Sequence, residues 1–269
     1  MICFLCSFYA EAEEIISYYN LKKKFSPSSF QIFSKDDIKL IVSGVGKINA
    51  ACAVGYIADS MGKCQNNIFI NVGICGSKNR NIGEAVLVNK ISDEDTLRES
   101  YPDIILKHNF EEGSLETFSS PVWDDSVIDI CDMEGSAFFE SASRFLEKHQ
   151  IALIKIVSDN LDEIDMNSEY VKNLIKNNID KINSYVEEYK KVFCGQKFLS
   201  DLCEKNMEKI INNLRCTESQ DIQLKRAVTA YKIRNNKEFD FSGFLNTEVK
   251  VKSEGKKHFS KLMDTMWER

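Results

Sequence analysis

Four short stretches of the 269-residue chain combine residue types that do acid–base chemistry with types that let a ligand approach the backbone. They are Gly44-Val45-Gly46-Lys47, Gly73-Ile74-Cys75-Gly76, Asp132-Met133-Glu134 and Ser158-Asp159, and Glu11 adds a further carboxylate near the start. A carboxyl group can give a proton, take one, or accept hydrogen bonds from hydroxyls. A glycine lacks the Cβ that would hold a ligand away from the chain. Together they suit a small polar ligand that is gripped by its hydroxyls and worked on by proton transfer.

Each stretch follows a segment that reads as a β-strand. Met1–Phe8 is a continuous apolar run, as in a strand buried on both faces. Ile38–Ser43, Asn67–Val72, Gly83–Ile91, Val127–Asp132 and Ile151–Val157 are the other expected strands. Helices are expected at Glu11–Tyr19, Ile48–Met61, Glu134–His149 and Tyr170–Val192, the last from its helical spacing of apolar residues. Residues 92–126 are polar, broken by Pro102 and Pro121, and yield no clear element. Strands alternating with helices predict an α/β fold: a mixed, mostly parallel sheet flanked by helices. In such sheets ligands bind beyond the carboxyl ends of the strands, which is where Glu11, the two glycine turns, Glu134 and Asp159 fall.

After residue 194 every signal is helical, with helices expected at Phe198–Leu214, Ser219–Asn235 and Gly255–Glu268 and a break at Gly195. The charge changes there too. Residues 1–194 hold 20 Lys/Arg and 30 Asp/Glu, and residues 195–269 hold 15 and 11. The expected organisation is therefore an α/β domain over 1–194 and an all-helical extension over 195–269. Lys225, Arg226, Lys232 and Arg234, with Tyr231 among them, read as an ordinary solvated helix face. Docking to a protein partner is the sharper alternative, and the extension is not basic enough to argue for nucleic acid.

Composition narrows the class. With 43% hydrophobic residues, 12 glycines and 3 prolines the chain is neither low-complexity nor collagen-like, and no apolar run is long enough to span a bilayer. The acidic residues behind Met1–Phe8 argue against a signal peptide. Nine cysteines, five of them (Cys3, Cys6, Cys52, Cys75, Cys131) in apolar or small-residue surroundings, read as buried reduced thiols of a cytoplasmic protein. Three histidines without zinc-motif spacing give no metal site, and no cofactor is expected.

The segments Ser43-Gly44-Val45-Gly46-Lys47-Ile48-Asn49-Ala50-Ala51, Asn71-Val72-Gly73-Ile74-Cys75-Gly76, Asp132-Met133-Glu134-Gly135 and Val157-Ser158-Asp159 stand in an order and chain position that resemble the nucleoside phosphorylase/hydrolase family. The nearest branch is the methylthioadenosine/S-adenosylhomocysteine nucleosidases. The resemblance covers roughly residues 1–192 and implies roles for single residues. Asp159 is similar to the family's general acid at purine N7, and Glu11 to the glutamate that activates water. Glu134 resembles the carboxylate that holds the ribose 2′ and 3′ hydroxyls, with Met133 packed on the sugar. Ile74, Cys75, Gly76, Ser158 and Lys155 complete the implied substrate-binding set.

The resemblance implies hydrolysis of the N-glycosidic bond of a 5′-modified adenosine, with a nucleoside as ligand and a homodimer as assembly. Asn71–Gly76 carries no basic residue where the family's phosphorylases place a phosphate-binding arginine. Lys47, at the second-strand turn, is the nearest candidate for a phosphate contact, and reads rather as a solvated lysine at a helix start. Two departures stand out: Ile74 replaces a small polar residue, and Lys155 replaces an arginine whose fork a lysine does not reproduce. A phosphorylase, or a nucleoside-binding relative without turnover, stays open as an alternative.

Overall fold

The computed structural model describes residues 1–59, 66–123, 127–162, 167–194, 199–249 and 251–267. The expected helix ends at Met61, Phe198 and Glu268, and the break at Gly195, lie outside them. The chain divides into two compact units, Met1–Cys194 and Gly195–Arg269.

The first unit is organised by strand alternation. In β1 (Ile2–Cys6), Ile2, Phe4 and Cys6 join one core, while Cys3 and Leu5 join another on the opposite face. The first core takes Ala12 and Ile15 of α1 (Tyr9–Tyr18) and Leu174, Ile175, Ile182 and Val186 of α4 (Ser168–Tyr189). The second takes Ala50, Ala53, Val54 and Ile57 of α2 (Lys47–Asp59) and Phe138, Phe139 and Ala142 of α3 (Gly135–Ala142). A sheet with two apolar faces is thus covered by helices on both.

The remaining strands are β2 (Lys22–Lys24), β3 (Gln31–Lys35), β4 (Ile38–Val42), β5 (Ile68–Gly76), β6 (Ala85–Asp93), β7 (Arg98–Ser100), β8 (Glu111–Thr117), β9 (Ile130–Asp132) and β10 (Ile151–Asp159). β1 lies between β4 and β5, parallel to both, and β10 is parallel to β5. Five strands close on themselves: β5 pairs β10, β10 pairs β6, β6 pairs β8, β8 pairs β9, and β9 returns to β5. The ring sits beside the open sheet and carries most of the site.

The sheet is mixed rather than mostly parallel. Among the described residues β2–β3, β3–β4, β6–β7, β6–β10 and β5–β9 are antiparallel, as many pairings as are parallel. Four strands were not legible in the sequence, and their composition shows why. β2 is Lys-Lys-Lys, β7 Arg-Glu-Ser and β8 Glu-Glu-Gly-Ser-Leu-Glu-Thr, none with a clean apolar alternation; β3 is Gln-Ile-Phe-Ser-Lys. α3 also stops earlier than expected, at Ala142. Ser141 and Ser143 there donate their hydroxyls to the carbonyls of Ala137 and Phe139, a local competitor to continued helix. Cys52, expected as a buried thiol, is exposed. It shares the outward face of α2 with Ile48 and Tyr56, one helical turn to either side.

In the second unit α5 (Asp201–Asn213), α6 (Glu218–Asn235) and α7 (Lys252–Trp267) surround a core that includes Cys203, Met207, Leu224, Val228, Phe241, Phe259 and Leu262. Ser200 and Thr217 cap α5 and α6 by accepting from the Cys203 and Gln220 N–H groups. Gly255 lets α7 pass the end of α5, since a Cβ there would lie 2.1 Å from the Leu214 carbonyl oxygen. No described helix of either unit is long and apolar enough to cross a membrane.

Candidate active site

Glu11 stands in the first turn of α1 and is buried. Its Oε2 accepts from the N–H groups of Ser7 (2.7 Å) and Phe8 (3.0 Å), donors that a helix start leaves without internal partners. Its Oε1 accepts from Ile74 N–H (2.9 Å) across on β5. Gly73 makes that reach possible, because a Cβ there would come within 2.8 Å of Glu11 Oε1. Burial raises the pKa of Glu11, and its three N–H donors and Lys155 offset only part of the rise. Glu11 is therefore fixed in place and a better proton acceptor than an ordinary glutamate.

The Gly44-Val45-Gly46 turn ends β4 and starts α2, with Gly44 and Gly46 at φ of +87° and +96°, where a side chain is disfavoured. Its free N–H is already used: Gly46 donates to Glu134 Oε1 at 2.6 Å. Glu134, at the N-cap of α3, has its pKa pushed up to about 7, first by burial and then by the neighbouring Asp132. Lys47 also faces inward, bridging Asp93 and Asp95 at 2.7 Å each. Burial alone would raise the pKa of Asp93. Hydrogen bonds from Lys47, Ser136 and Thr96 reverse that and hold it well below the usual carboxylate range.

Asp159 ends β10 where the β5–β10 register shifts between Val157 and Asp159, a bulge that re-aims the side chain. Its Oδ1 accepts from Leu161 N–H (3.0 Å), with Leu161 held at a φ of +62°. Ser158 Oγ lies 2.6 Å from Asp159 Oδ2 and 3.1 Å from the Cys75 carbonyl oxygen. The Tyr170 hydroxyl donates to the Ser158 carbonyl from α4 at 2.6 Å. Gly76 is the close neighbour, since a Cβ on it would sit 2.5 Å from Leu161 Cδ2 and 3.0 Å from Asp159 Oδ1.

Lys155 and Asp132 form an ion pair of 2.7 Å, each side chain 1% exposed. Burial would lower the lysine pKa, but Asp132, Glu134 and Glu11 together raise it to about 12. Asp132 also accepts from the Thr117 hydroxyl (2.8 Å) and from Gly135 N–H (2.9 Å), which ties the Asp132–Gly135 turn to β8 and α3.

These groups meet at one cavity of about 230 Å³. Glu11, Ile74, Cys75, Gly76, Met133, Glu134, Ser158 and Asp159 all line it, so eight of the nine expected site residues come together. Lys155 does not line it. Phe138 and Phe139 are in the core. The sequence reading quoted Val45 and Asp132 within its stretches but gave them no role, and it missed Phe8 and above all the wall Phe118, Ser120, Pro121, Val122 and Trp123. That wall follows β8, inside the polar stretch with no clear element, and the cluster Phe118, Pro121, Val122, Trp123 was the apolar signal that marked it. Among the described residues no Lys or Arg lines the cavity. Arg80, a few residues beyond the β5 turn, is committed to Asp129 and Glu84.

No protein-family model matches the sequence, and a search of curated proteins finds no match. Solved structures do match. The 5′-methylthioadenosine/S-adenosylhomocysteine nucleosidase of Neisseria meningitidis, solved with methylthio-immucillin-A, is 19% identical and superimposes with a TM-score of 0.58 over 69% of this chain and 97% of its own. The 5′-methylthioadenosine nucleosidase of Arabidopsis thaliana is 18% identical, with a TM-score of 0.57 over 73% of this chain and 96% of its own. The Helicobacter pylori nucleosidase is 16% identical, with a TM-score of 0.55 over 70% and 97%. The chain shares the fold of these nucleosidases.

Proposed function

We propose that the first unit hydrolyses the N-glycosidic bond of a 5′-modified adenosine, giving adenine and the free sugar. The candidate substrates are methylthioadenosine, S-adenosylhomocysteine and 5′-deoxyadenosine. One observation carries the reading: Asp159, Glu134 and Glu11 converge on a single cavity whose lining, among the described residues, holds no cation. The Neisseria enzyme of the same fold is solved with a methylthio-nucleoside analogue, which fits a cavity of this chemistry.

In this reading Asp159 gives a proton to purine N7, so that adenine leaves as a neutral base. Ser158 has one hydroxyl proton and two acceptors in reach, Asp159 Oδ2 and the Cys75 carbonyl. Glu134 holds the ribose hydroxyls, and Met133 packs beside them. As the C1′–N bond breaks, Glu11 takes the proton of the attacking water, whose oxygen bonds to C1′.

Phosphorolysis would need a cation at the sugar, and Lys47, Arg80 and Lys155 are each paired with a carboxylate. Ile74 favours one alternative, a nucleoside-binding protein without turnover, because an apolar side chain stands beside the water-activating carboxylate. Purified protein offered the three candidates in phosphate-free buffer is expected to release adenine. Release only on adding phosphate would identify a phosphorylase. Binding without release would identify the non-catalytic alternative.

A further inference from the structure

Lys155 is the one expected ligand contact that the fold turns away from the cavity. It is also the only Lys or Arg among the described residues buried to this degree. Its ammonium meets Asp132, which itself lines the cavity, and the same aspartate fixes the Gly135 N–H and the Thr117 hydroxyl. Gly73 brings it near Glu11 as well: a Cβ there would lie 3.5 Å from Lys155 Nζ and 2.8 Å from Glu11 Oε1. One ammonium therefore pairs with Asp132 and acts electrostatically on Glu134 and Glu11, carboxylates from three different elements.

We propose that Lys155 is a positioning residue, which acts through Asp132 to hold the Asp132–Glu134 turn and supplies the single buried positive charge that Glu11 and Glu134 share, without touching the substrate. The proposal rests on the hydrolase reading for what the site does, but not for how it is tested. An unpaired Asp132 at this depth would carry a heavy desolvation cost, so the pair is a unit rather than two contacts. The groups that face Glu134 are Asp132 from β9, Lys155 from β10, Glu11 from α1 and the Gly46 N–H at the start of α2. Asp132 and Glu11 disfavour its ionised form, and Lys155 and Gly46 favour it. Removing the cation and removing the aspartate must therefore move Glu134 in opposite directions, which damage to packing alone does not do.

The experiment titrates the 13C carboxyl resonance of Glu134, identified by its loss in Glu134→Gln, in the ligand-free full-length protein. Wild type is expected to titrate near 7. Lys155→Met is expected to raise the midpoint by roughly one pH unit or more, and Asp132→Asn to lower it. The double variant Asp132→Asn/Lys155→Met should return towards wild type and unfold at a higher temperature than Lys155→Met alone. If Lys155→Met does not fold, the double variant must still titrate above Asp132→Asn. Equal midpoints, or shifts in the same direction, overturn the proposal.

A second arm measures adenine release from methylthioadenosine. Lys155→Met should displace the pH dependence of kcat with KM within about threefold, whereas a substrate contact would raise KM at every pH. A raised KM with no displaced profile also overturns the proposal. If wild type releases no adenine, the hydrolase reading fails while the titrations still decide the role of Lys155.

Discussion

The two units solve different problems, one with a sheet between helices and the other with helices alone among its described residues. The second unit has no buried polar or charged side chain among its described residues; its core is apolar and its helix ends are tied by local caps. The first unit buries Glu11, Asp93, Glu116, Asp132, Glu134, Lys155 and Asp159. Burying a charge is costly unless a partner or hydrogen bond meets it, so each of these sits in a network built from separate strands and helices. One unit is organised to be stable, and the other to hold ionisable groups at stated depths. The difference locates the chemistry better than any motif does.

The comparison can be broken most sharply at Asp159. Asp159→Asn should cut adenine release by about 10³-fold while leaving the unfolding of the second unit unchanged. Steady-state rates and hydrogen exchange of α5–α7 check the two halves of that statement. Conversely, Leu262→Ala should destabilise the second unit by about 3 kcal/mol, since Leu262 is fully buried in its core, and leave kcat unaltered. A matching loss of activity would mean that the helical unit contributes to the site.

Smaller again is a graded pH effect confined to the first unit. Folding raises the pKa of Glu134 from 4.5 to about 7, so the folded state keeps a proton that the unfolded chain has already lost. Stability of the first unit should therefore fall as pH rises between those values, with Glu11 adding in the same direction. Urea midpoints across the window should show the slope, and Glu134→Gln should flatten it. The second unit should not share it. The least effect is expected from Thr217→Ala, about 1 kcal/mol from the loss of the α6 cap, read from exchange of the first-turn amides.

Legibility in the sequence divides along similar lines. Strands buried on both faces, such as Ile2–Cys6 and Ile151–Asp159, announce themselves by apolar runs, unbroken in the first and interrupted only by Lys155 before Ser158 in the second, and the glycine turns and carboxylates at their ends were legible with them. β8 was not, because Glu-Glu-Gly-Ser-Leu-Glu-Thr has no clean apolar alternation and the strand is held by its pairing between β6 and β9. The wall from Phe118 to Trp123 was lost with it. The position of Lys155 was legible but its partner was not: nothing local says that an ammonium on β10 will meet Asp132 rather than a ligand.

The closed ring of strands has a consequence for how the protein is made. β5 is complete at Gly76, but two of its neighbours, β9 and β10, begin only at Ile130 and Ile151. A nascent chain that ends before Ile151 already carries both glycine turns, Glu11 and Glu134, yet lacks Lys155 and Asp159 and has a gap where β10 belongs. Closing so long a loop is slow compared with local helix formation. During synthesis Glu11, Asp132 and Glu134 therefore precede the ammonium that acts on them, and the cavity is incomplete until β10 has been made.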